Sequence, residues 1–346
     1  MQHKYFAASN SAHGFVSYFG EIFKRADFIY IIKGGPGTGK SSLMRKIAHQ
    51  AECRGEMVEY YYCSSDPESL DGVLIFIANR AIGIVDGTSP HTREPEMAGV
   101  YDEIINLAAF WDRELLLTQK NEIISLSRKK SASYRRAYDY LRSCGNLQAV
   151  IDALLEPAID RHKMTSAAER LVASLGLKGG RADIIPVSLS AIGMTGVARL
   201  DSFENNAKRL YYVGDFYGVG KYFLTCLFEA LSGQEIKLRV SYDAVCSWLV
   251  DGIFIDELNI AFLLHNDDAL SDNSEKQINS KRFVNQDTLR AVRSEIRYAK
   301  KLYDGALDGA IHALGEVKIY HFLLEDIYKN AMDFEKMSLF VKNFKI

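Results

Sequence analysis

Proline is scarce in this chain, six in 346 residues, and cysteine scarcer still at five. So few prolines, beside 48% hydrophobic and 25% charged residues, exclude a low-complexity or fibrous chain and fit a globular one that buries substantial cores. The cysteines (Cys53, Cys63, Cys144, Cys226 and Cys246) are odd in number and include no C-x-x-C pair. That argues against a disulfide framework and for free thiols in a reducing cytoplasm. No His/Cys spacing fits a zinc site. Long apolar runs are absent too: none reaches bilayer-spanning length, and the opening MQHKYFAASN lacks the apolar core of a signal peptide. Charge of one sign is also missing, with 42 basic against 44 acidic side chains and a formal net charge of −2. No overall field draws the chain to nucleic acid or to an anionic membrane. The expectation is a cytoplasmic protein of one to three domains, two being the natural number, with no membrane partner.

What is present is a stretch that reads as strand, glycine-rich turn and helix start: FIYIIKGGPGTGKSS, residues 28–42. Gly34, Gly39, Lys40 and Ser41 fit G-x-x-x-x-G-K-[ST], the Walker A pattern. Glycines at 34, 35, 37 and 39 let the backbone curl so that successive N–H groups face inward toward phosphate oxygens. The positive end of the following helix adds to the attraction. The loop Gly34, Gly35, Pro36, Gly37, Thr38, Gly39, Lys40, Ser41 and Ser42 is the expected nucleotide cradle. Lys40 supplies charge at the β/γ phosphates as a catalytic residue, and Ser41 a hydroxyl to Mg²⁺. By residue usage the bare pattern occurs by accident in roughly one chain of this length in a hundred, so its context matters. The β-rich run before it, and Leu43, Ile47, Ala48 and Ala51 at helical spacing after it, supply that context.

The rest of the site is less sharply marked. Asp86 closes AIGIVD in the manner of a Walker B strand and is the second candidate Mg²⁺ ligand. Gly87 follows where many ATPases carry a water-activating Glu, so slow hydrolysis is expected. Asp66, past the 57–62 strand, is a candidate catalytic base if that strand neighbours the loop strand; Glu68, His91 and Arg93 are weaker candidates. Cys63 reads as a core or loop thiol. The basic, tyrosine-bearing segment 128–142 reads as a solvated helix face, with Tyr134, Tyr138 and Leu141 at core spacing, which argues against nucleic acid. Residues 15–24 and 99–111 read as helices, and 113–174 as two long helices broken near Gly145–Asn146, with Pro157 kinking the second.

The chain also repeats itself. RLYYVGDFYGVGKYFL (209–224) lies 181 positions after FIYIIKGGPGTGKSSL, placing Gly218, Gly220 and Lys221 on Gly37, Gly39 and Lys40. VDGIFIDELNIA (250–261) follows LDGVLIFIANRA by 180, so that Asp251 and Gly252 match Asp71 and Gly72; AMDFEKM (331–337) follows AIDRHKM by 173. The copies differ where chemistry would sit: Gly34 becomes Asp215, Ser41 becomes Tyr222, and Asp86 aligns with Asn266. The expected fold is α/β, two P-loop NTPase-type domains at 1–177 and 178–346. Each has a mainly parallel sheet flanked by helices and its own helical hairpin, and the second is a degenerate copy. Only three residues join the 73–77 and 81–85 runs, too short for a parallel crossover, so an antiparallel strand is expected there.

GGPGTGKSS, CSSDPESLDGV (63–73), IVDGTSPH (84–91) and DEIINLAAFWD (102–112) together resemble a bacterial, mainly Firmicutes, tandem P-loop ATPase-like family. The resemblance spans essentially the full length, strongest over residues 1–115, and implies nucleotide binding on a P-loop fold. The Asp-Glu pair expected of an AAA+ ATPase is missing. No N-K-x-D guanine motif is visible, so ATP with Mg²⁺ is the expected ligand. The leading expectation is a slow ATPase with a regulatory or structural second half. The alternatives are a small-molecule kinase, with Asp66 deprotonating the acceptor, and a nucleotide-gated scaffold whose helical hairpins meet a protein partner.

Overall fold

The computed structural model describes residues 3–265 and 276–344. The first half runs β1 (His3–Phe6), β2 (Ala8–Ser11), β3 (Gly14–Ser17), α1 (Phe19–Phe23), β4 (Phe28–Lys33), α2 (Lys40–Cys53), β5 (Met57–Tyr62), β6 (Leu70–Ile77), β7 (Arg80–Asp86) and β8 (Asp102–Asn106). It ends in α3 (Arg113–Thr118), α4 (Lys120–Leu155) and α5 (Arg161–Ser174). The second half repeats the order: β9 (Asp183–Val187), β10 (Ser190–Gly193), β11 (Gly196–Arg199), α6 (Ser202–Asn206), β12 (Arg209–Gly214), α7 (Val219–Ser232), β13 (Lys237–Tyr242), β14 (Val250–Ile255), β15 (Ile260–His265) and β16 (Lys276–Asn279). It closes with α8 (Gln286–Asn330) and α9 (Phe334–Asn343).

Each half builds a six-stranded sheet, in the orders β1-β5-β6-β7-β4-β8 and β9-β13-β14-β15-β12-β16. Neighbours are parallel except β6, which is antiparallel to β5 and β7, and β14, which is antiparallel to β13 and β15. The tight β6–β7 turn therefore makes the antiparallel addition that its length demands. β6 is buried over Leu70–Ile75 because it is covered on both faces. Val73 and Ile75 meet α2, whose Leu43, Ile47, Ala48 and Ala51 form the stripe read from the sequence, while Leu74 joins Phe19 and Phe23 of α1. The result is a mixed α/β protein of two similar halves.

The halves share packing rather than stacking as separate bodies. Leu74, Val85, Phe23 and Ile31 lie in one apolar core with Val187, Phe203, Phe254 and Leu263. Phe6 and Ser188 exchange backbone hydrogen bonds of 2.9 and 3.0 Å between β1 and the end of β9. At the centre, buried Glu59 of β5 meets Arg239 of β13 at 2.8 Å, Arg239 also pairs with Asp256 at 2.9 Å, and Arg25 closes on Glu59 from the other side. Glu59 and Arg239 are equivalent positions, 180 residues apart, so the two halves meet as symmetric subunits would, position against its own counterpart.

The expected helical hairpin within each half does not form. α4 pairs antiparallel with α8 of the other half: Ser133 donates to Glu316 at 3.0 Å, and Cys144 to the Tyr303 carbonyl at 3.7 Å. The terminal helices cross over as well. Met164, Ala168 and Val172 of α5 enter the core around Phe223 and Leu227 of α7, while Met337 and Val341 of α9 enter the core around Leu43 and Ile47 of α2. Two bridges fix the exchange, Trp111 with Met332 and Ile159 with Val284. Trp111 precedes Val284, and Ile159 precedes Met332, by the same 173 positions as the sequence repeat.

Three local expectations are corrected. Gly145 does not break α4; a Cβ there would stand 2.6 Å from the Ala12 side chain, so the glycine serves a close approach, and the helix stops instead at a 3₁₀ turn through Pro157. Residues 99–111 hold β8 and a 3₁₀ turn, because the open edge of β4 takes 102–106 as a parallel strand. Residues 15–24 divide between β3, paired with β2, and the short α1. Among the described residues, no helix is long and apolar enough to cross a membrane, and the five cysteines are free.

Candidate functional site

The first half's glycine-rich loop joins the end of β4 to the start of α2. Gly37 (φ 71°) and Gly39 (φ 82°) hold left-handed torsions that any side chain would strain, and this curls the loop. The first helical hydrogen bond runs from Leu43 N–H to Gly39 C=O, which leaves the amides of residues 40–42 without a partner one turn back. Thr38 is buried and donates to the Gly35 carbonyl at 2.9 Å, bracing the curl. Lys40 Nζ folds over the loop, donating to the carbonyls of Gly34 (3.0 Å) and Gly35 (2.8 Å), and lies 3.6 Å from Asp86 Oδ2. Pro36 lies within the turn, half-buried, and Ser42 is exposed on α2.

Ser41 and Asp86 flank this lysine. Ser41 Oγ accepts from the Leu70 amide at 2.9 Å and keeps its proton for another partner. Asp86 sits on β7, paired in register with Ile32 of β4, so the strand order itself brings it to the loop. Its Oδ1 accepts from Thr88 N (2.9 Å) and Thr88 Oγ1 (2.6 Å), leaving Oδ2 toward Lys40. Two oxygen ligands suit Mg²⁺, which keeps several of its waters. No group of three or more His, Cys, Asp or Glu is gathered as an all-protein metal cage among the described residues.

In the sequence Asp71 stands out only as a marker of the repeat. The structure places it at the start of β6, buried, with His91 Nε2 3.0 Å from its Oδ2, an ion-pair distance without hydrogen-bond alignment. Burial opposes the charged His91 ring, but Asp71 and then Asp86 outweigh it and raise its pKa, against a smaller push from Lys40. Phe15 and Phe19 wall the imidazole at 5.2 and 5.0 Å. The raised pKa means that the pair adds stability below the ordinary histidine value of 6.5, and that this is lost as pH rises through the raised one. Asp71→Asn should therefore lower stability on the order of 1 kcal/mol at mildly acidic pH, with the gap to wild type closing as pH rises, in urea titrations across pH 5–9. A gap independent of pH would contradict the pairing.

Asp66 lies on the β5–β6 loop, four residues before the Leu70 amide that meets Ser41. β4 is flanked by β7 and β8, not β5, so the strand adjacency on which the catalytic placement of Asp66 rests is not met. Asp66 faces His321 and Glu325 of α8, and burial raises its pKa. Glu68 is exposed, its carbonyl held by Arg45. The Arg93 guanidinium lies 3.7 Å from Glu96, and its carbonyl accepts from Lys33 at 2.7 Å. Burial and the nearby Asp71 push the Cys63 thiol well up, as for an inert core group.

The far side of the loop is covered by α8 and α9 of the other half together with Trp111 of its own. A Cβ on Gly37 would meet the Glu325 carbonyl at 2.6 Å, one on Gly39 would meet Met337 at 2.7 Å, and Gly35 lies against Trp111 and Tyr328. Two buried ring nitrogens around this site lack a hydrogen-bond partner, His91 Nδ1 and Trp111 Nε1. Buried groups are seldom left so, since each costs about 1–3 kcal/mol. With the unpaired loop amides and Lys40 they are donors of the kind an anionic ligand requires, and Ser41 and Asp86 are the oxygens that could hold a metal ion beside it.

The matching loop of the second half satisfies itself. Asp215, at the position of Gly34, accepts from the Gly220 amide at 2.9 Å, an internal carboxylate where a phosphate oxygen would sit. Lys221 is locked 2.6 Å from Asp243, which stands at the position of Cys63 and also accepts from the Val245 and Cys246 amides. Burial opposes both charges, yet each raises the other's ionisation: the Asp243 pKa falls and that of Lys221 climbs. Tyr222 turns to Arg161, 5.7 Å from its ring. The register also corrects the alignment of Asp86. Ile82 pairs with Phe28 as Ile260 pairs with Arg209, so Leu264 occupies the place of Asp86, and Asn266 lies outside the described residues. Compared with known proteins, the chain matches no family model, no curated protein and no solved structure.

Proposed function

We propose that this is a Mg²⁺-dependent ATP-binding protein of P-loop NTPase type, a slow ATPase that uses the first loop, with a second half kept for structure or regulation. The observation that carries this reading is the contrast between two equivalent lysines. Lys40 rests on loop carbonyls that a triphosphate can displace, 3.6 Å from the metal-side carboxylate, whereas Lys221 is held by a buried acid.

In this reading the loop amides and Lys40 bind the β- and γ-phosphates and stabilise the charge that builds there as the γ-phosphoryl group leaves. Mg²⁺, when bound, neutralises the phosphate oxygens. Ser41 and Asp86 would hold it, Asp86 oriented by its two bonds from Thr88. Gly87 offers no carboxylate to orient water, which supports slow turnover. The basic group the fold does bring alongside is His91, paired to Asp71.

ATP hydrolysis by the purified chain, measured with and without acceptors, tests this. Phosphate release in water alone supports it; ADP formation only with an acceptor hydroxyl would replace it with a kinase, and binding with no turnover with a scaffold. Asp86→Asn should raise the Mg²⁺ concentration for half-maximal activity by roughly tenfold, the effect of losing one charged ligand contact. Unchanged metal dependence would remove Asp86 from the site.

A further inference from the structure

We propose that the ammonium of Lys130, carried in by α4, completes the anion site and contacts the terminal phosphate of a bound nucleoside triphosphate. This rests on the reading of the first loop as a nucleotide site. α4 packs on the β2–β3 hairpin and is pinned there by its tyrosines. Tyr138 donates its hydroxyl to Asn10 Oδ1 at 2.8 Å. One turn back, Tyr134 stacks on Tyr138 with ring centroids 6.3 Å apart, its hydroxyl buried beside Ser65, Cys63 and Asp71. Lys130 is one turn further along the same face, since residues four apart lie one above the other on a helix. It is half-buried, and burial first, then the charge of Lys40, lowers its pKa. Among the described residues, no acid offsets that repulsion.

The second half supplies an independent check on the direction in which this position points. The bridges Trp111–Met332 and Ile159–Val284 bracket α4 and α8 with one constant offset of 173, which sets Lys130 on Tyr303. Tyr303 is half-buried, packs on the cluster that holds Cys246 and faces Asp243, beside the locked Lys221. The arm of each half therefore aims the same position at the loop of its own half. Where the loop lysine is neutralised from within, the arm carries a phenol. Where it is left with carbonyls and a distant carboxylate, the arm carries a second cation. Two ammonium groups facing one site and partly withdrawn from water repel each other. A multiply charged anion between them removes that repulsion, and a terminal phosphate carries the charge and the acceptor oxygens to meet both.

The test titrates a non-hydrolysable ATP analogue and ADP, each with Mg²⁺, into the full chain and its Lys130→Met, Lys130→Arg and Lys129→Met variants. Lys130→Met should weaken the triphosphate by ~10- to 100-fold, the range for one charge-assisted contact, and ADP by less than about threefold. Lys130→Arg should recover most of the preference for triphosphate. Lys129→Met, which removes a charge from the same turn beside the Tyr320 ring, should leave both affinities as they were. Lys130→Gln repeats the measurement should the methionine variant melt early. Wild-type binding with Lys130→Met unchanged, or with both nucleotides weakened equally, would overturn the assignment of Lys130 alone. A wild-type chain that binds neither nucleotide overturns the underlying reading with it.

Discussion

Lys40→Ala should cost roughly a hundredfold or more in ATP affinity, about 3 kcal/mol, while Lys221→Ala leaves that affinity nearly unchanged. The two residues are the same amino acid in the same element, so the difference tests the surroundings rather than the motif. Lys40 gives up two carbonyl contacts to reach a ligand, and those carbonyls then face solvent at small cost. Lys221 would have to leave Asp243, a buried carboxylate 2.6 Å away that already takes two backbone amides. Its removal should therefore appear in stability instead, by about 3 kcal/mol, because Asp243 is left charged and unpaired. Isothermal titration and urea unfolding on both variants separate these outcomes. Equal losses of affinity would mean that the second loop also takes nucleotide.

The second large effect is expected far from either loop. Glu59→Gln should destabilise the chain by about 3 kcal/mol or more. Glu59 is fully buried, and removing its charge strands Arg239, which is 5% exposed and left with Asp256 alone. Burial opposes the Glu59 charge, but Arg239 and then Arg25 overcome it and hold its pKa at about 2 against an ordinary 4.5. A depressed carboxylate stabilises the fold above its unfolded value and loses that contribution as pH falls toward the folded one. Wild-type stability should thus decline between about pH 4.5 and 2, and the Gln variant should decline less steeply there. Because Glu59 and Arg239 join the two halves at equivalent positions, unfolding followed by probes in each half should remain a single transition in wild type. A variant as stable as wild type, with the same acid profile, would show that this pair is not a fastening point.

The loop was legible because its determinants are local. Glycine torsions, a lysine and a hydroxyl in nine residues need no tertiary partner to be recognised. The strand ending in Asp86 was legible for the same reason, and its place beside β4 follows from the topology. Its counterpart was misread because hairpin lengths differ: four residues separate Ile255 from Ile260 where six separate Ile75 from Ile82, so the offset slips by two and Leu264 arrives instead of Asn266. Asp66 was placed by assuming that consecutive strands are neighbours, and β6 and β7 intervene.

The exchange of helices was beyond reach for another reason. The apolar faces of α4 and α5 require burial, but amphipathic spacing says nothing about which half supplies the other surface. Lys130 was lost in the same way. In a run of basic residues every lysine resembles a solvated one, and only the packing of Tyr134 and Tyr138 turns one of them inward.

A crystal structure grown with a non-hydrolysable ATP analogue and Mg²⁺ is the most direct test of the central claim, that one of two equivalent loops is open to phosphate while the other is closed by its own acids. The account predicts triphosphate density against residues 34–42, with Lys40 moved off the Gly34 and Gly35 carbonyls and the Lys221–Asp243 pair intact. Density at residues 215–222 instead, or at both loops, would contradict it.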